Sequence, residues 1–407
     1  MIPRPADYNA EVMTIEYDPT SHEVMQNPWP YYAQLRAEAP VFYHEGYDTW
    51  FLSCFEDVWE ATGSDAFTVE KGVMPESVFY KQYPPTEPPV FTMLDLPRQR
   101  PYRKLLSPSY GKRTIAKLED GIRQRVKQIL APLVERGEFD VYRDYADPVA
   151  TRTIAHLIGL DEEEALELRK GVERFFAREP HQRHSTEAQQ GILGTLIARL
   201  SEIAETRAAA KDWDGDDHMS VWLRSEVEGR RMSPLEVGIN AYNMLVTGAE
   251  VVPLSVANSA YYLWQNPEQR RSVVDDPDLV PHAFAESLRF DQPTNLLGRF
   301  VKRDLEIRGQ KLRSGQGCMF LWASANRDEA EFPQADRFDI ARRPRRSLSY
   351  GHGIHKCIGE HLGNLEGRVL LEELLAAAPH YEIDQSGVAR AYSEFLHGYT
   401  RMPLRIA

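Results

Sequence analysis

The chain has 407 residues, 42% of them hydrophobic, and its formal net charge is −13. The hydrophobic content suits a large packed core, and the negative charge argues against a general electrostatic association with nucleic acid. No stretch approaches ~18 consecutive apolar residues, and the polar, acidic N-terminus lacks the features of a signal peptide, so we expect a cytoplasmic protein with no membrane partner.

Most of the chain is predicted to be helical, with a small β region. Apolar residues recur at three- and four-residue spacing, the pattern of amphipathic helices, in residues 31–39, 114–137 and 191–211. Two segments, 41–53 and 301–312, have the composition of short strands instead, and the second has the glycine and polar punctuation of a hairpin. We find no internal repeat, low-complexity tract or linker, so a single domain is expected.

The segment 67–95 is rich in proline and aromatic residues and shows weak periodicity. It is predicted to be a long ordered loop, and such loops in compact domains are usually functional. A basic cluster, RQRPYRK, follows at 98–104, and a second one, ARRPRR, lies at 341–346. Each is either a solvated surface or part of a docking site for an acidic partner.

One predicted helix is unusually long. Ser233, Pro234 and Glu236 form a capping box with proline at the first helical position. The helical pattern then continues for roughly 30 residues, which at 1.5 Å per residue gives ~45 Å. Its middle contains Gly248 and Pro253, which a stable helix avoids. Two separate helices that meet at Pro253 are the alternative.

The segment YGHGIHKCIG, residues 350–359, combines three glycines, two histidines and one cysteine. The three cysteines of the chain are far apart, so neither a disulfide framework nor an iron–sulfur site is expected. Four possible zinc ligands fall within ten positions: His352, His355, Cys357 and His361. Structural zinc sites usually pair their ligands across a loop, so this spacing is not typical of them.

Two other chemistries suit Cys357. The helical pattern that follows it would place the sulfur near a helix N-terminus, where a nucleophilic thiolate is favoured. A thiolate ligand to haem iron is the other alternative. The haem interpretation also explains the glycines, because a planar macrocycle needs a close approach of the backbone.

The segment resembles the haem-binding loop of the cytochrome P450 family. The family signature FGxGxHxCxG matches it at every position except Tyr350. The ExxR motif of the family is present as Glu286 and Arg289, and ADRFDI at 335–340 supplies the companion arginine as Arg337. NRDE at 326–329, between these motifs, is also typical of the family.

The resemblance runs from about residue 28 to the end, with the motifs in the right order. It implies a mainly α structure with a small β region, the cytochrome P450 fold. It further implies one haem-thiolate domain over residues 1–407, with residues 1–27 as an N-terminal extension. Haem b (iron protoporphyrin IX) is the implied cofactor and Cys357 the implied iron ligand. Glu286, Arg289 and Arg337 are expected to form a buried charge network, which is tolerable only when every charge is paired.

The resemblance also implies the residues around the cofactor. Arg103, Arg299 and His355 match positions that contact the haem propionates, and anionic propionates in a poorly solvated pocket need such partners. Gln99 stands where the family has a histidine, so that hydrogen bond is expected to be weaker or rearranged. Gly351 and Gly359 are the loop glycines expected beside the cofactor.

In the family, the long helix carries [AG]Gx[DE]T, whose acid and threonine relay protons to iron-bound dioxygen. Gly248 and Glu250 match this motif, but Val251 replaces the threonine and cannot hold a water. Pro253 has no N–H for the carbonyl of Ala249 and opens the helical turn. We therefore hypothesise that Glu250 and Pro253 hold the water chain instead. A relaxed site that tolerates poor coupling, or that uses another oxidant, is the alternative.

The electrons must come from another protein, because the chain has neither a GxGxxG dinucleotide fingerprint nor a flavin-domain extension. The resemblance implies a small acidic ferredoxin and a ferredoxin reductase as partners. The two basic clusters are expected to flank the cysteine loop and to steer the ferredoxin.

The substrate-contacting positions of the family fall mainly on apolar residues: Phe79, Tyr80, Asn243, Val246, Thr247, Val251, Leu296, Leu297 and Phe395. We therefore expect a monooxygenase that hydroxylates or O-demethylates a small apolar or aromatic molecule. Some family members that demethylate methoxylated phenols also lack the threonine. A terpenoid or steroid hydroxylase is the alternative substrate class. A non-monooxygenase function, such as peroxide-driven oxidation, dehydration or haem-based sensing, is the alternative chemistry.

Overall fold

Helices form most of the structure, a computed structural model that describes residues 15–179, 182 and 184–406. Within these residues, sixteen α-helices, α1 to α16, run in order over His22–Gln26, Trp29–Glu38, Phe55–Gly63, Pro75–Phe79, Gln99–Leu106, Lys112–Ala116, Glu119–Arg136, Asp147–Ile158, Glu162–Phe176, Glu187–Ala210, His218–Arg224, Pro234–Gln265, Pro267–Asp275, Val280–Phe290, Trp322–Ala325 and Glu360–Ala377. None of them has both the length and the hydropathy of a membrane span.

The β structure is small and divided among several sheets. In the described part of the chain, the strands β1 to β14 cover Val41–His44, Thr49–Leu52, Phe67–Thr68, Glu138–Asp140, Glu226–Val227, Arg230–Arg231, Leu297–Val301, Leu305–Ile307, Gln310–Leu312, Gly317–Phe320, Tyr381–Ile383, Ala389–Arg390, Tyr399–Arg401 and Pro403–Ile406. The largest sheet has the order β1-β2-β10-β7-β3, with β10 parallel to β2 and the other pairs antiparallel. The prediction of a mainly α structure with a small β region is confirmed.

The long helix is continuous. Helix α12 begins after Ser233, whose hydroxyl accepts the N–H of Glu236 while the Glu236 carboxylate accepts the N–H of Ser233, and it passes through Pro253 without ending. It packs against α8, α10, α14 and α16, so tertiary burial stabilises the turn that the proline weakens. The alternative of two helices that meet at Pro253 is therefore wrong.

The long loop 67–95 is held against α12. It contains α4 and otherwise little regular structure, as predicted. The Asn240 side chain accepts the N–H of Phe91 (3.0 Å) and donates to the carbonyl of Pro89 (2.9 Å). These bonds position the end of the loop beside the N-terminal part of α12.

The segment before α2 is part of the core, as far as the structure describes it. Residues 1–14 of the predicted extension lie outside the described residues. Ile15 and Tyr17 are buried, and the Tyr17 ring meets the ring of Phe51 edge-on, at 5.3 Å between centroids. Residues 15–27 therefore pack against the largest sheet rather than project from it.

Candidate active site around Cys357

The cysteine loop is closed by backbone contacts that only glycine allows. The N–H of Cys357 donates to the carbonyl of Tyr350 (2.9 Å), which folds residues 350–357 back on themselves. Gly351 and Gly353 have φ of +68° and +71°, a conformation that disfavours other residues. A side chain at Gly353 would also lie 2.8 Å from the carbonyl oxygen of Thr62. The glycines of the motif thus set the path of the loop.

The Cys357 sulfur is enclosed by protein yet retains accessible surface. The residue is exposed, although burial raises the pKa of its thiol. The N–H of Gly359 and the Arg103 guanidinium act in the opposite direction and favour the thiolate. A sulfur in this setting is suited to bind a cation or an iron centre that completes its burial.

The two competing chemistries find no support in the geometry. The His352 ring stacks on Trp59 at 3.7 Å between centroids, which engages a face of this ring. Among the described residues, no group of three or more His, Cys, Asp or Glu side chains could hold a metal ion. In the part of the chain that the structure describes, no His, Asp or Glu side chain forms a hydrogen bond with the Cys357 sulfur, so a nucleophile at this position would lack an adjacent base.

Helix α5 lies directly beside the loop. The Gln99 amide donates to the carbonyl of Ile354 (3.0 Å), and the Arg103 guanidinium donates to the carbonyl of Lys356 (2.5 Å). Gln99 is buried, and Arg103 is partly exposed. Both side chains therefore position the two residues on either side of His355. The Gln99 amide is committed to the loop backbone in this arrangement.

Three basic groups meet near the loop without a carboxylate partner. Burial lowers the pKa of Arg299 to about 10, and its guanidinium donates to the carbonyl of Gly298 (2.7 Å). Burial and the Arg299 charge lower the pKa of His355 to about 4, and Arg103 acts in the same direction. In the described part of the chain, neither Arg299 nor Arg103 forms an ion pair with an acid.

A buried, unpaired guanidinium is costly unless an anion joins it. The Asp95 charge offsets part of the lowering of the Arg299 pKa, but the Asp95 carboxylate is paired with the Lys302 ammonium at 3.2 Å. Two carboxylates on one ligand would pair with the Arg299 and Arg103 guanidinium groups and could accept a hydrogen bond from the neutral His355 ring. The residues present therefore fit a porphyrin with two propionates whose iron is bound by Cys357.

The buried charge network forms with a different arginine from the one predicted. The Arg289 guanidinium donates to both carboxylate oxygens of Glu286 (2.8 and 2.7 Å), and the second arginine on Glu286 is Arg342 (3.3 Å). Arg337 is exposed and contributes only its carbonyl oxygen to this cluster. The assignment of Arg337 as the third charge is thus corrected to Arg342. Arg342 belongs to the basic cluster ARRPRR, and its role is not apparent from the sequence because the neighbouring arginines are equivalent candidates.

One face of α12 keeps accessible surface while most of the helix is buried. Asn243, Thr247 and Val251 are spaced by four residues and therefore share a face, and all three are at least partly accessible. The Thr247 hydroxyl donates to the carbonyl of Asn243, and the Thr92 hydroxyl donates to the Asn243 side chain (3.3 Å). This face is the part of α12 that a bound molecule can contact.

Glu250 does not lie free on that face. Its carboxylate accepts a hydrogen bond from the buried Arg169 guanidinium at 2.5 Å. Arg169 also donates to Asp147 (2.7 Å) and to the hydroxyl of Tyr142 (2.8 Å). Burial raises the pKa of Asp147 to about 6. Glu250 therefore belongs to a buried ion network that Arg169 holds together.

Pro253 is buried in the continuous helix, two residues after Val251. The Ser255 hydroxyl donates to the carbonyl of Val251 (2.7 Å). The carbonyl of Ala249 lacks the N–H that another residue at position 253 would supply. The carbonyl that Pro253 leaves without its helical partner thus lies two residues before Val251, the position where the family motif has threonine.

The predicted substrate residues divide into two sets. Residues with accessible surface are Tyr80, Asn243, Val246, Thr247, Val251, Leu297 and Phe395. Leu296 has no accessible surface, and Phe79 is 5% exposed and stacks on Tyr47 at 4.6 Å between centroids. Phe79 and Leu296 are therefore core residues in this structure, and their assignment as substrate contacts is corrected.

Comparison with known sequences shows which protein family and which relatives the chain resembles. The sequence model of the family described as Cytochrome P450 matches residues 136–378. The chain is 28% identical over 408 residues to "Cytochrome P450 130" of Mycobacterium tuberculosis, covering 97% of this chain and 99% of that protein. It is 31% identical over 398 residues to "Vitamin D(3) 25-hydroxylase" of Pseudonocardia autotrophica, covering 96% of each.

Solved structures share the architecture over almost the whole chain. CalO2 superposes with a TM-score of 0.86 at 25% identity, covering 96% of this chain and 98% of that one. A mutant of P450 EryK in complex with erythromycin B superposes with a TM-score of 0.84 at 25% identity, covering 95% and 97%. The arrangement of helices and sheets around the Cys357 loop is thus a known fold.

Proposed function

The chain belongs to the cytochrome P450 family, and we propose that it uses ferredoxin-delivered electrons to hydroxylate or O-demethylate a small apolar or aromatic molecule. Membership makes it a monooxygenase with haem b as cofactor. A thiolate-bound haem supplies the reductive activation of O2. The observation that supports these site assignments is the group of basic side chains at the cysteine loop: Arg103 acts on the Cys357 sulfur, and the buried Arg299 acts on His355.

In this proposal Cys357 binds the iron, while Arg103, Arg299 and His355 hold the two propionates. Gln99 acts through the loop, because its amide is already bonded to the carbonyl of Ile354. The N–H of Gly359 moderates the charge of the sulfur. Each of these residues binds or orients the cofactor before any substrate arrives.

Electron delivery would use the basic surface of α5 and α6. Five exposed basic residues, called the α5–α6 basic patch, lie there or immediately after: Arg100, Lys104, Lys112, Arg113 and Lys117. In contrast, Arg342 binds Glu286, and Arg346 binds Glu56 and Glu331 at 2.7 and 2.6 Å. The cluster 341–346 therefore has fewer charges available for docking. A positive patch beside the cysteine loop would steer an acidic ferredoxin to the nearest route to the haem.

Proton delivery without the threonine is proposed to use the opened turn at Pro253. Glu250 is paired with Arg169, so it can serve this path only when that ion pair exchanges or opens. The Ala249 carbonyl and the Pro253 turn would hold water beside Val251, which has no hydroxyl. The Arg169 network then sets how readily Glu250 takes up and releases a proton.

The accessible face of α12, with Leu297 and Phe395, supports an apolar or aromatic substrate. A secosteroid or steroid is the second candidate, because one relative is named vitamin D(3) 25-hydroxylase. The test supplies the purified protein with a ferredoxin, its reductase and NADPH, and measures substrate-dependent NADPH consumption and products. Formaldehyde from methoxyaromatics supports O-demethylation, and hydroxylation of steroids alone supports the second candidate. Equal NADPH consumption without ferredoxin would contradict the electron route.

A further inference from the structure

A buried charge cluster joins three segments that are far apart in the sequence. Glu76 lies on α4, Arg178 follows α9, and Glu394 lies in the C-terminal segment before Phe395. The Arg178 guanidinium pairs with the Glu76 carboxylate at 2.5 Å, and the two side chains are only 5% and 15% exposed. Glu76 and Arg178 both shift the pKa of Glu394, so the three charges act on one another.

Glu394 is the unpaired member of this cluster. It is 6% exposed, and no side chain in the described part of the protein forms a hydrogen bond or an ion pair with its carboxylate, which has only its own backbone N–H. Neither of its carboxylate oxygens is among the fully enclosed polar atoms that lack a partner. The Glu394 carboxylate is thus nearly buried but still open to a small group.

The backbone around Glu394 is firmly held. Its carbonyl accepts a hydrogen bond from the Asn295 amide (2.8 Å), and the carbonyl of Phe395 accepts the N–H of Asn295 (2.8 Å). The Phe395 ring lies 6.3 Å from the ring of Phe176, at the end of α9. The backbone at Glu394 is therefore fixed, and the next residue, Phe395, is a predicted substrate contact with accessible surface.

The cluster has one negative charge too many. Arg178 forms its ion pair with Glu76 and acts on Glu394 only from a distance, so no described base is paired with the Glu394 carboxylate. The Tyr242 side chain of α12 adds no positive charge, and burial, the Glu250 charge and the Glu76 charge all raise its pKa. A carboxylate in such surroundings gains most from a cation that reaches it with its apolar part against aromatic rings.

We infer, on the basis of the proposed function, that Glu394 binds a cationic nitrogen of the substrate. The substrate class is then a compact apolar or aromatic ammonium rather than a neutral hydrocarbon or ether. Glu394 would fix the distance between the charged end of the substrate and the atom that is oxidised.

Quaternary ammonium probes test this inference, because they can neither titrate nor coordinate iron. The probes are (4-methoxyphenyl)alkyl trimethylammonium ions with a short series of spacers, each paired with its neutral tert-butyl isostere. Binding to the ferric holoenzyme is measured from the displacement of the Soret band and by calorimetry. We expect at least one charged probe to bind about tenfold to a hundredfold more tightly than its isostere, the range of a charge-assisted contact.

Two further measurements assign the effect to Glu394. Burial and the Glu76 charge raise the pKa of Glu394 to about 7, so the carboxylate is ionised above that pH and protonated below it. The charged probe should therefore lose affinity as the pH falls through about 7, while its isostere does not. Glu394→Gln should bring the two affinities together, and Glu179→Gln, which removes an exposed charge near Arg178, should leave their ratio unchanged.

Equal affinities for every charged and neutral pair, or an unchanged preference in Glu394→Gln, would overturn the inference. The pH series uses the unaltered protein, so it remains informative if the variant does not fold. Ferredoxin-dependent oxidation of the neutral isosteres reports separately on the proposed function. Their turnover without any preference for charge would leave that function standing and reject only the role of Glu394.

Discussion

Replacing Arg299 by leucine is expected to weaken haem binding while making the apoprotein more stable. Burial lowers the pKa of Arg299 to about 10, and at about 1.4 kcal/mol per tenfold change the buried charge costs the apoprotein about 3 kcal/mol. The penalty applies at every pH below about 10, because the guanidinium is charged there, and it fades above that pH. A propionate would cancel the penalty in the holoprotein, so the variant should bind haem about a hundredfold more weakly.

The assay for this prediction combines haem transfer to apomyoglobin with urea unfolding of the apoprotein. The Arg299→Leu apoprotein should unfold at a higher urea concentration than the unaltered one, while its haem should leave faster. Arg103→Leu is the comparison for apoprotein stability, since Arg103 is also a proposed propionate partner but is partly exposed; its apoprotein should gain less. Unchanged haem transfer, or a destabilised Arg299→Leu apoprotein, would refute the reasoning that a propionate completes this site.

Three further predictions concern the buried charge network, the Pro253 turn and the α5–α6 basic patch. Arg342→Met should lower the free energy of unfolding in urea by about 2 kcal/mol, because it removes one partner of the buried Glu286. Arg337→Met, at an exposed position, should change that free energy by no more than about 0.5 kcal/mol. Equal effects of the two substitutions would contradict the assignment of Arg342. Pro253→Ala should raise the share of electrons that end as hydrogen peroxide, measured against product formed, and unchanged coupling would count against the opened turn as a water site. Lys104→Glu should slow electron transfer from ferredoxin several-fold at low salt and little at high salt. Arg271→Glu on α13 makes the same change of charge outside the patch and is the control. Equal slowing in both variants would reject the α5–α6 basic patch as the ferredoxin docking site.

The sequence predicts the elements well where the pattern is local. Apolar periodicity locates α2 and α10, and the hairpin β8–β9 appears where 301–312 was predicted to turn. The predicted helix 114–137 is divided into α6 and α7 instead, with a break after Ala116. Nothing in the periodicity marks that break, because it depends on how each part packs against α16 and α8.

The candidate site is predictable where one motif determines backbone geometry. The motif itself fixes the relative positions of the glycines and the cysteine in the loop, which is why Cys357 can be proposed as the iron ligand from the sequence alone. Arg342 could not, because four adjacent arginines look alike in sequence and only folding selects the one that reaches Glu286.

Residues that meet only in three dimensions were missed entirely. Arg169 lies 81 positions before its partner Glu250, and Arg178 lies 102 positions after Glu76. Glu394 is next to the predicted contact Phe395, but its lack of a partner is visible only once its surroundings are known. Long-range charge pairing therefore required the folded chain.

The bond between the Cys357 sulfur and haem iron is the claim on which the account depends most. Its direct measurement is the absorption spectrum of the reduced protein under carbon monoxide, for the unaltered chain and for Cys357→Ala. We expect the strongly red-shifted Soret band of a thiolate-ligated haem in the first and its loss in the second. Absence of that band in the unaltered protein, or its persistence in Cys357→Ala, would contradict the account.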